Sequence, residues 1–293
     1  MQVDIMLWFQ GLFENFTEFF DVFFAFITFF GEELLILIIL PICYWAIDKK
    51  LGTYLCVASF ATLTVNGAVK DVAQIERPIF HEAIRYVEIE NFFVDTVGLK
   101  GSYSFPSGHS QGIATLAFGI GCYFNKKKIW ISAVTLTLLV MLSRMYLGVH
   151  WPLDVVVGGL LGAVVAVACY KVFTKLNEPN KIKFYIIAAL VSLVVLLFAK
   201  SADTYKAVGA LVGFALGALF ENKLVNFDPK QGTVLKKVLR CVIGLIAVLA
   251  IRIGLKEVFG LIGEYQLLGF LRYLIMVFFG FGVYPLIFKK ANL

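Results

Sequence analysis

Charge is scarce in this chain. Only 16% of its 293 residues are Asp, Glu, Lys or Arg, whereas a soluble domain carries about 25%. The deficit is spread over the whole length, and 60% of the residues are hydrophobic, with a mean hydropathy of +0.86. A water-soluble globule is excluded. Lys and Arg are absent before Lys49, so the basic flank of a cleavable signal peptide is missing and none is expected. The five cysteines form no CxxC pair, and each lies in an apolar stretch. They read as small buried residues and not as metal or redox sites. No carboxylate cluster offers a metal cage, and no cofactor is expected. Histidine is also rare, at three residues.

What is present is a series of apolar runs near the roughly 20 residues that a membrane-crossing helix needs. Residues 1–30 are Phe-rich but interrupted by Asp4, Glu14, Glu18 and Asp21, and they read as an interfacial amphipathic helix. Spans are then expected at about 31–47, 51–69, 109–124, 129–146, 151–172, 183–199, 205–220, 234–253 and 266–288. The fold class is all-α, a polytopic membrane helical bundle. The organisation read from these runs is an interfacial helix (1–30), a catalytic transmembrane core (31–200) and additional C-terminal spans (201–293). Gly209, Gly213 and Gly217 share one helix face. That spacing permits close helix approach, within the bundle or in a homodimer.

The net charge of +6 does not point to nucleic acid, because the basic residues sit in short clusters between spans. With odd spans running from side A to side B, side B receives 16 of the 26 Lys and Arg residues, Lys126–Lys128 among them. By the positive-inside rule side B is cytoplasmic. The N-terminus and the polar 70–108 segment then face outward, and the C-terminus faces inward. Long polar segments between spans are often functional.

Three polar clusters stand out, all at side-A ends. They are Lys70 with Arg77-Pro78, Pro106-Ser107-Gly108-His109, and Ser143-Arg144 with His150 and Asp154. A lone Arg or Lys at a span end commonly snorkels to the head groups. Three cations with two histidines and a carboxylate at matched depth read instead as a phosphate pocket. Arg presents a planar fork to phosphate oxygens and Lys a compact charge. Ser107 and Gly108 would open a helix whose free N–H groups face an anion. His150 and Asp154 are four residues apart and share a face if a helix starts near His150. The carboxylate would then fix the imidazole tautomer and free the other nitrogen to attack. His109 could protonate the leaving oxygen. His81 has no such company and reads as a loop residue.

These clusters match the motif set of the type 2 phosphatidic acid phosphatase family, which shares its site with vanadium haloperoxidases. The resemblance covers about residues 50–172, with no departure at the motif positions. It implies a six-helix core, here with about three extra C-terminal spans, and a metal-independent mechanism. It further implies that His150 forms a phosphohistidine, that Asp154 orients it, and that His109 is general acid. Lys70, Arg77, Ser107, Gly108 and Arg144 would hold the phosphate. The layout with an outside N-terminus also looks like glucose-6-phosphatases and sphingosine-phosphate phosphatases, a topological analogy. The expected substrate is a lipid phosphate monoester or diphosphate (phosphatidate, sphingoid phosphate or polyprenyl phosphate type), met among membrane lipids. The alternatives are a soluble phosphate ester such as a sugar phosphate, or a non-catalytic lipid-binding or transport protein.

Overall fold

The computed structural model describes residues 1–91, 94–263 and 265–293. Phe92 and Phe93 of the polar segment lie outside the described residues, as do Glu264 and the side chain of Glu178 in the 177–180 linker. The described residues are helical with no strand, only an isolated bridge between Glu90 and Asp95. Among them, six helices are long and apolar enough to cross a membrane, or seven if one bent pair is a single span. The sequence expectation of nine is higher for a physical reason. One of the remaining two helices, α5, has only 17 residues. The other, α8, carries Lys181 and Lys183 near its start.

The chain divides into two compact units, Met1–Ile36 with Ala68–Ala168, and Leu37–Gly67 with Cys169–Leu293. The first begins with α1 (Gln2–Gly11) and α2 (Thr17–Phe29). The 1–30 segment therefore folds as two helices, parted by a short 3-10 turn at Glu14–Phe16. It is not one continuous helix. The start of α3 (Glu33–Ile42) and the last turn of α4 (Lys49–Ala73) follow. Then come α5 (Gly108–Phe124), α6 (Lys127–Tyr146) and most of α7 (Pro152–Lys175).

The local reasons are legible. Ser107 caps α5 by accepting from the Ser110 N–H, as an N-cap serine does. Asn125 ends α5 in the left-handed region at φ 46°, and Lys126–Lys128 turn the chain into α6. Helix α7 lies on α5 through a seam of small residues. A Cβ on Gly158 would stand 2.6 Å from the Ser107 carbonyl oxygen, and one on Gly162 would stand 2.2 Å from that of Gln111. Contacts that close require glycine. The Phe residues of α1 and α2 serve packing as well as surface. Phe9 and Phe24 are buried with Tyr146, Leu147, Val149 and Val155, and the Phe24 and Tyr146 rings stack at 4.4 Å. Trp8, Phe16, Phe19 and Phe26 stay exposed.

The second unit holds α8 (Glu178–Val195), α9 (Ala202–Phe220), α10 (Val234–Gly260), α11 (Gln266–Phe278) and α12 (Tyr284–Lys290). The glycine face of α9 is taken by its own unit. Cβ atoms on Gly209 and Gly213 would meet the carbonyl oxygens of Phe270 and Leu274 at 2.3 and 2.5 Å. Close approach of α9 and α11 is thus its structural use. Glu221, fully buried at the end of α9, pairs with Lys49 at 2.6 Å and accepts from the Phe227 N–H. A buried carboxylate needs such partners.

Candidate active site

The sequence-predicted residues all lie in the first unit, and their side chains and backbone converge at the ends of α4, α5, α6 and α7. Asp154 occupies the first turn of α7. The helix begins at Pro152, two residues later than a shared helix face with His150 would need. His150 instead sits in the turn that follows Gly148, whose φ of 74° bends the chain there. Even so, His150 Nδ1 lies 3.3 Å from Asp154 Oδ2.

The Asp154 carboxylate is held on several sides. Its Oδ2 accepts from the Trp151 N–H at 2.8 Å and from the Ser104 hydroxyl. Its carbonyl accepts from the Ser107 N–H at 3.0 Å, which ties the α7 start to the α5 cap. Ser104 Oγ is also 3.3 Å from His150 Nδ1. These oxygen partners place the imidazole proton on Nδ1 and leave a lone pair on Nε2.

Arg77 meets that lone pair. Its Nη1 is 2.9 Å from His150 Nε2 and also donates to the Val149 carbonyl at 2.9 Å. Nε and Nη2 donate to the Ser102 carbonyl and hydroxyl, each at 2.9 Å. The guanidinium is therefore fixed from three directions. Lys70, in the last turn of α4, donates to the Tyr103 carbonyl at 2.9 Å.

His150 is 1% exposed. Burial holds its imidazole well below the usual range, and the nearby charges of Arg77, Lys70 and Arg144 push the same way. A neutral, unprotonated Nε2 is thus the resting state well into acid. The pH profile of kcat/KM, which reports the free enzyme, should show no loss on the acid side near pH 6.5. A steady fall through that range, measured on buffered detergent-solubilised protein, would contradict the assignment.

Arg144, in the last turn of α6, is fully buried. Its Nη1 donates to Thr28 Oγ1 at 2.7 Å, while Nε and Nη2 have no partner among the described residues. Each unsatisfied buried donor costs of order 1–3 kcal/mol. Opposite, His109 in the first turn of α5 brings Nε2 to 2.9 Å from Glu32 Oε1.

Sequence reasoning missed Ser104, Ser102, Thr28 and Glu32. Ser104 had a faint signal, being three residues before Ser107 in the same polar run. Thr28 and Glu32 had none, since they adjoin the Phe-rich segment far from every motif. His81 stays on the loop, its Nδ1 accepting from the Ala83 N–H at 3.3 Å. Among the described residues, no three of His, Cys, Asp and Glu gather as a metal site would require.

Fold and site together define a multi-pass membrane protein with a cation-lined histidine centre. Residues 51–178 match the PAP2 superfamily and residues 205–293 match the PAP2 superfamily phosphatase, transmembrane extension. Between them the two matches take in most of the chain, which belongs to the PAP2 superfamily. Sphingosine-1-phosphate phosphatase 1 of Rattus norvegicus is 26% identical over 264 residues, covering 80% of this chain and 59% of its own. An undecaprenyl-diphosphatase of Sulfolobus acidocaldarius is 46% identical over 61 residues, 21% of this chain and 29% of its own. Phosphatidylglycerophosphatase B of Bacillus subtilis is 40% identical over 73 residues, 22% of this chain and 36% of its own. The chain thus spans less than two thirds of the length of each of these relatives. No solved structure matches it significantly.

Proposed function

We propose that the protein is a membrane phosphatase that hydrolyses a lipid phosphate monoester or diphosphate through a phosphohistidine. The observation that carries this reading is Arg144, a fully buried cation with two donor nitrogens and no acceptor for them among the described residues. A phosphate group supplies the missing acceptors in the planar, forked geometry that a guanidinium prefers. The relatives named for sphingosine-1-phosphate, undecaprenyl diphosphate and phosphatidylglycerophosphate support a lipid tail on the substrate.

In this reading the His150 Nε2 lone pair forms the N–P bond as the P–O bond to the alcohol breaks. Asp154 and Ser104 hold Nδ1 and its proton. His109 delivers a proton to the leaving oxygen, then takes one from the water that attacks phosphorus and releases His150. Arg77, fixed 2.9 Å from Nε2, lies where the oxygens of a phosphoryl group on that nitrogen must be. Lys70, Arg144 and the α5 N-terminus at Ser107 and Gly108 take up the remaining charge. The test is phosphate release by the purified protein on phosphatidate, sphingosine phosphate, a polyprenyl diphosphate and glucose phosphate in parallel. Hydrolysis of glucose phosphate alone would replace the lipid reading with the soluble one, and release from none would reject the enzyme.

The charge of the site comes from side chains, so turnover should survive excess EDTA. Orthovanadate should inhibit, because a five-coordinate vanadate on His150 resembles the transition state. Loss in EDTA that Mg²⁺ restores, or indifference to millimolar vanadate, would reject the mechanism.

The basic clusters at the opposite ends of the spans support a site on the outer face of the membrane. A cysteine introduced at Asp95 should react with a membrane-impermeant maleimide on intact cells, and one at Lys127 should not. The reverse pattern would put the site inside.

A further inference from the structure

The last turn of α2 and its link to α3 send three residues to the histidine centre, and all three precede the matched residues 51–178. Thr28 accepts from Arg144. Gly31 lies against His109 so closely that a Cβ would stand 2.8 Å from the His109 Cβ. Glu32 then reaches Nε2 of the same imidazole at 2.9 Å. The contact becomes an ion pair once the imidazole is protonated, and neither atom has a hydrogen-bond partner among the described residues. Glu32 is half-buried, with Oε1 shielded from solvent, and a carboxylate oxygen so placed is costly unless a cation or donor meets it. His109 is what meets this one.

We infer that Glu32 is a positioning residue for His109, holding Nε2 so that Nδ1 exchanges the proton with the substrate. The inference rests on the phosphatase reading above and adds a carboxylate that the motifs do not contain. The charged groups facing His109 are Glu32 from the α2–α3 link, Arg144 from α6 and Arg77 from the stretch after α4, with His150 also near. The two arginines oppose a positive imidazole, and Glu32 is the anion among these groups. Burial and the arginines disfavour the imidazolium, the Glu32 carboxylate favours it, and in this reading that support lets His109 be charged when substrate arrives. The imidazolium then gives its Nδ1 proton to the leaving oxygen as the P–O bond breaks. In the second step Nδ1 takes a proton from water as the water oxygen bonds phosphorus and the N–P bond breaks. The site thus carries two carboxylate–imidazole pairs with opposite tasks. Asp154 serves a histidine that works neutral, and Glu32 serves one that starts charged.

The full-length protein, Glu32→Gln and Glu32→Asp are compared on the best lipid phosphate of the panel and on 4-nitrophenyl phosphate, whose leaving group needs no proton. Glu32→Gln should lose about 10–100-fold in kcat on the lipid, the usual cost of removing the carboxylate behind a working imidazole, and much less on the aryl ester. The basic limb of its pH profile should move to lower pH, because the imidazolium has lost its counter-charge. Glu32→Asp should recover part of both. An equal loss on both substrates with an unmoved basic limb would overturn the inference, leaving Glu32 as packing. If Glu32→Gln fails to purify as a folded species, Glu32→Asp carries the test, and a loss from it that is equal on both substrates with an unmoved basic limb overturns the inference. A second readout needs no turnover. The pH midpoint for carbethoxylation of His109 by diethylpyrocarbonate, read by mass spectrometry, should fall in Glu32→Gln. An inactive wild type with that shift would sink the phosphatase reading and keep the Glu32–His109 pair. An unchanged midpoint in an active enzyme would do the opposite.

Discussion

Replacing His150 with alanine is expected to abolish phosphate release on every substrate, by at least about ten-thousandfold, because in this reading no other described residue takes its place as the attacking group. The variant should fold, since Asp154, Ser104 and Arg77, the polar partners of the imidazole, each keep other hydrogen bonds. His109→Ala should also lose about 10²–10⁴-fold on an alkyl phosphate, the usual contribution of a general acid. The two part company on an aryl phosphate with a good leaving group. There His109→Ala should regain part of its rate, its first task having been removed, and phosphoenzyme should accumulate in rapid-quench samples if water attack becomes limiting. His150→Ala should regain nothing and form no phosphoenzyme. Rescue of His150→Ala, or a trapped phosphate on any residue but His150, would reverse the assignment of roles.

The second large effect concerns Arg144. Arg144→Ala should cost about a thousandfold in kcat/KM, roughly 4 kcal/mol of transition-state stabilisation, as the loss of a preorganised charge in a dry site does. Arg144→Lys should recover only a minor part. An ammonium keeps the charge but cannot present two parallel donors while a third holds Thr28. Full activity in the lysine variant would mean that charge alone matters and that the fork is incidental. Near-native activity in the alanine variant would remove Arg144 from the phosphate site. Melting of both variants in detergent distinguishes a lost interaction from a lost fold.

The sequence exposes His150, Asp154, His109 and the cations for one physical reason. Polar residues are so few in this chain that those near the bilayer need an explanation, and a phosphate pocket explains all of them together. The helical class is as plain, because apolar runs of that length leave the backbone no other way to satisfy its hydrogen bonds. What stays hidden depends on folding back. Ser104 reaches Asp154 only because the Phe105-to-Gly108 stretch turns against α7. Glu32 resembles the other early acids, Asp4, Glu14 and Glu18, which lie exposed, until the α2–α3 link carries it to His109. The α7 start is a milder case. The four-residue spacing of His150 and Asp154 suggests a shared helical face, but Pro152 sets the first helical position, and the turn after Gly148 brings the imidazole in. The span count is inflated where a short helix (α5) or one with early lysines (α8) passes as an apolar run.

The unit that holds the histidine centre is assembled from two stretches of chain separated by residues 37–67, and this sets an order of events during synthesis. Thr28 and Arg144 stand 116 positions apart. At about 5–20 residues per second, the ribosome needs on the order of ten seconds to make the guanidinium that the threonine will anchor. For the first part of that interval Glu32 lacks its imidazole, and Arg144, once made, has still to meet Thr28. The polar groups that equip the finished site are therefore its most exposed liabilities while the chain is still being made.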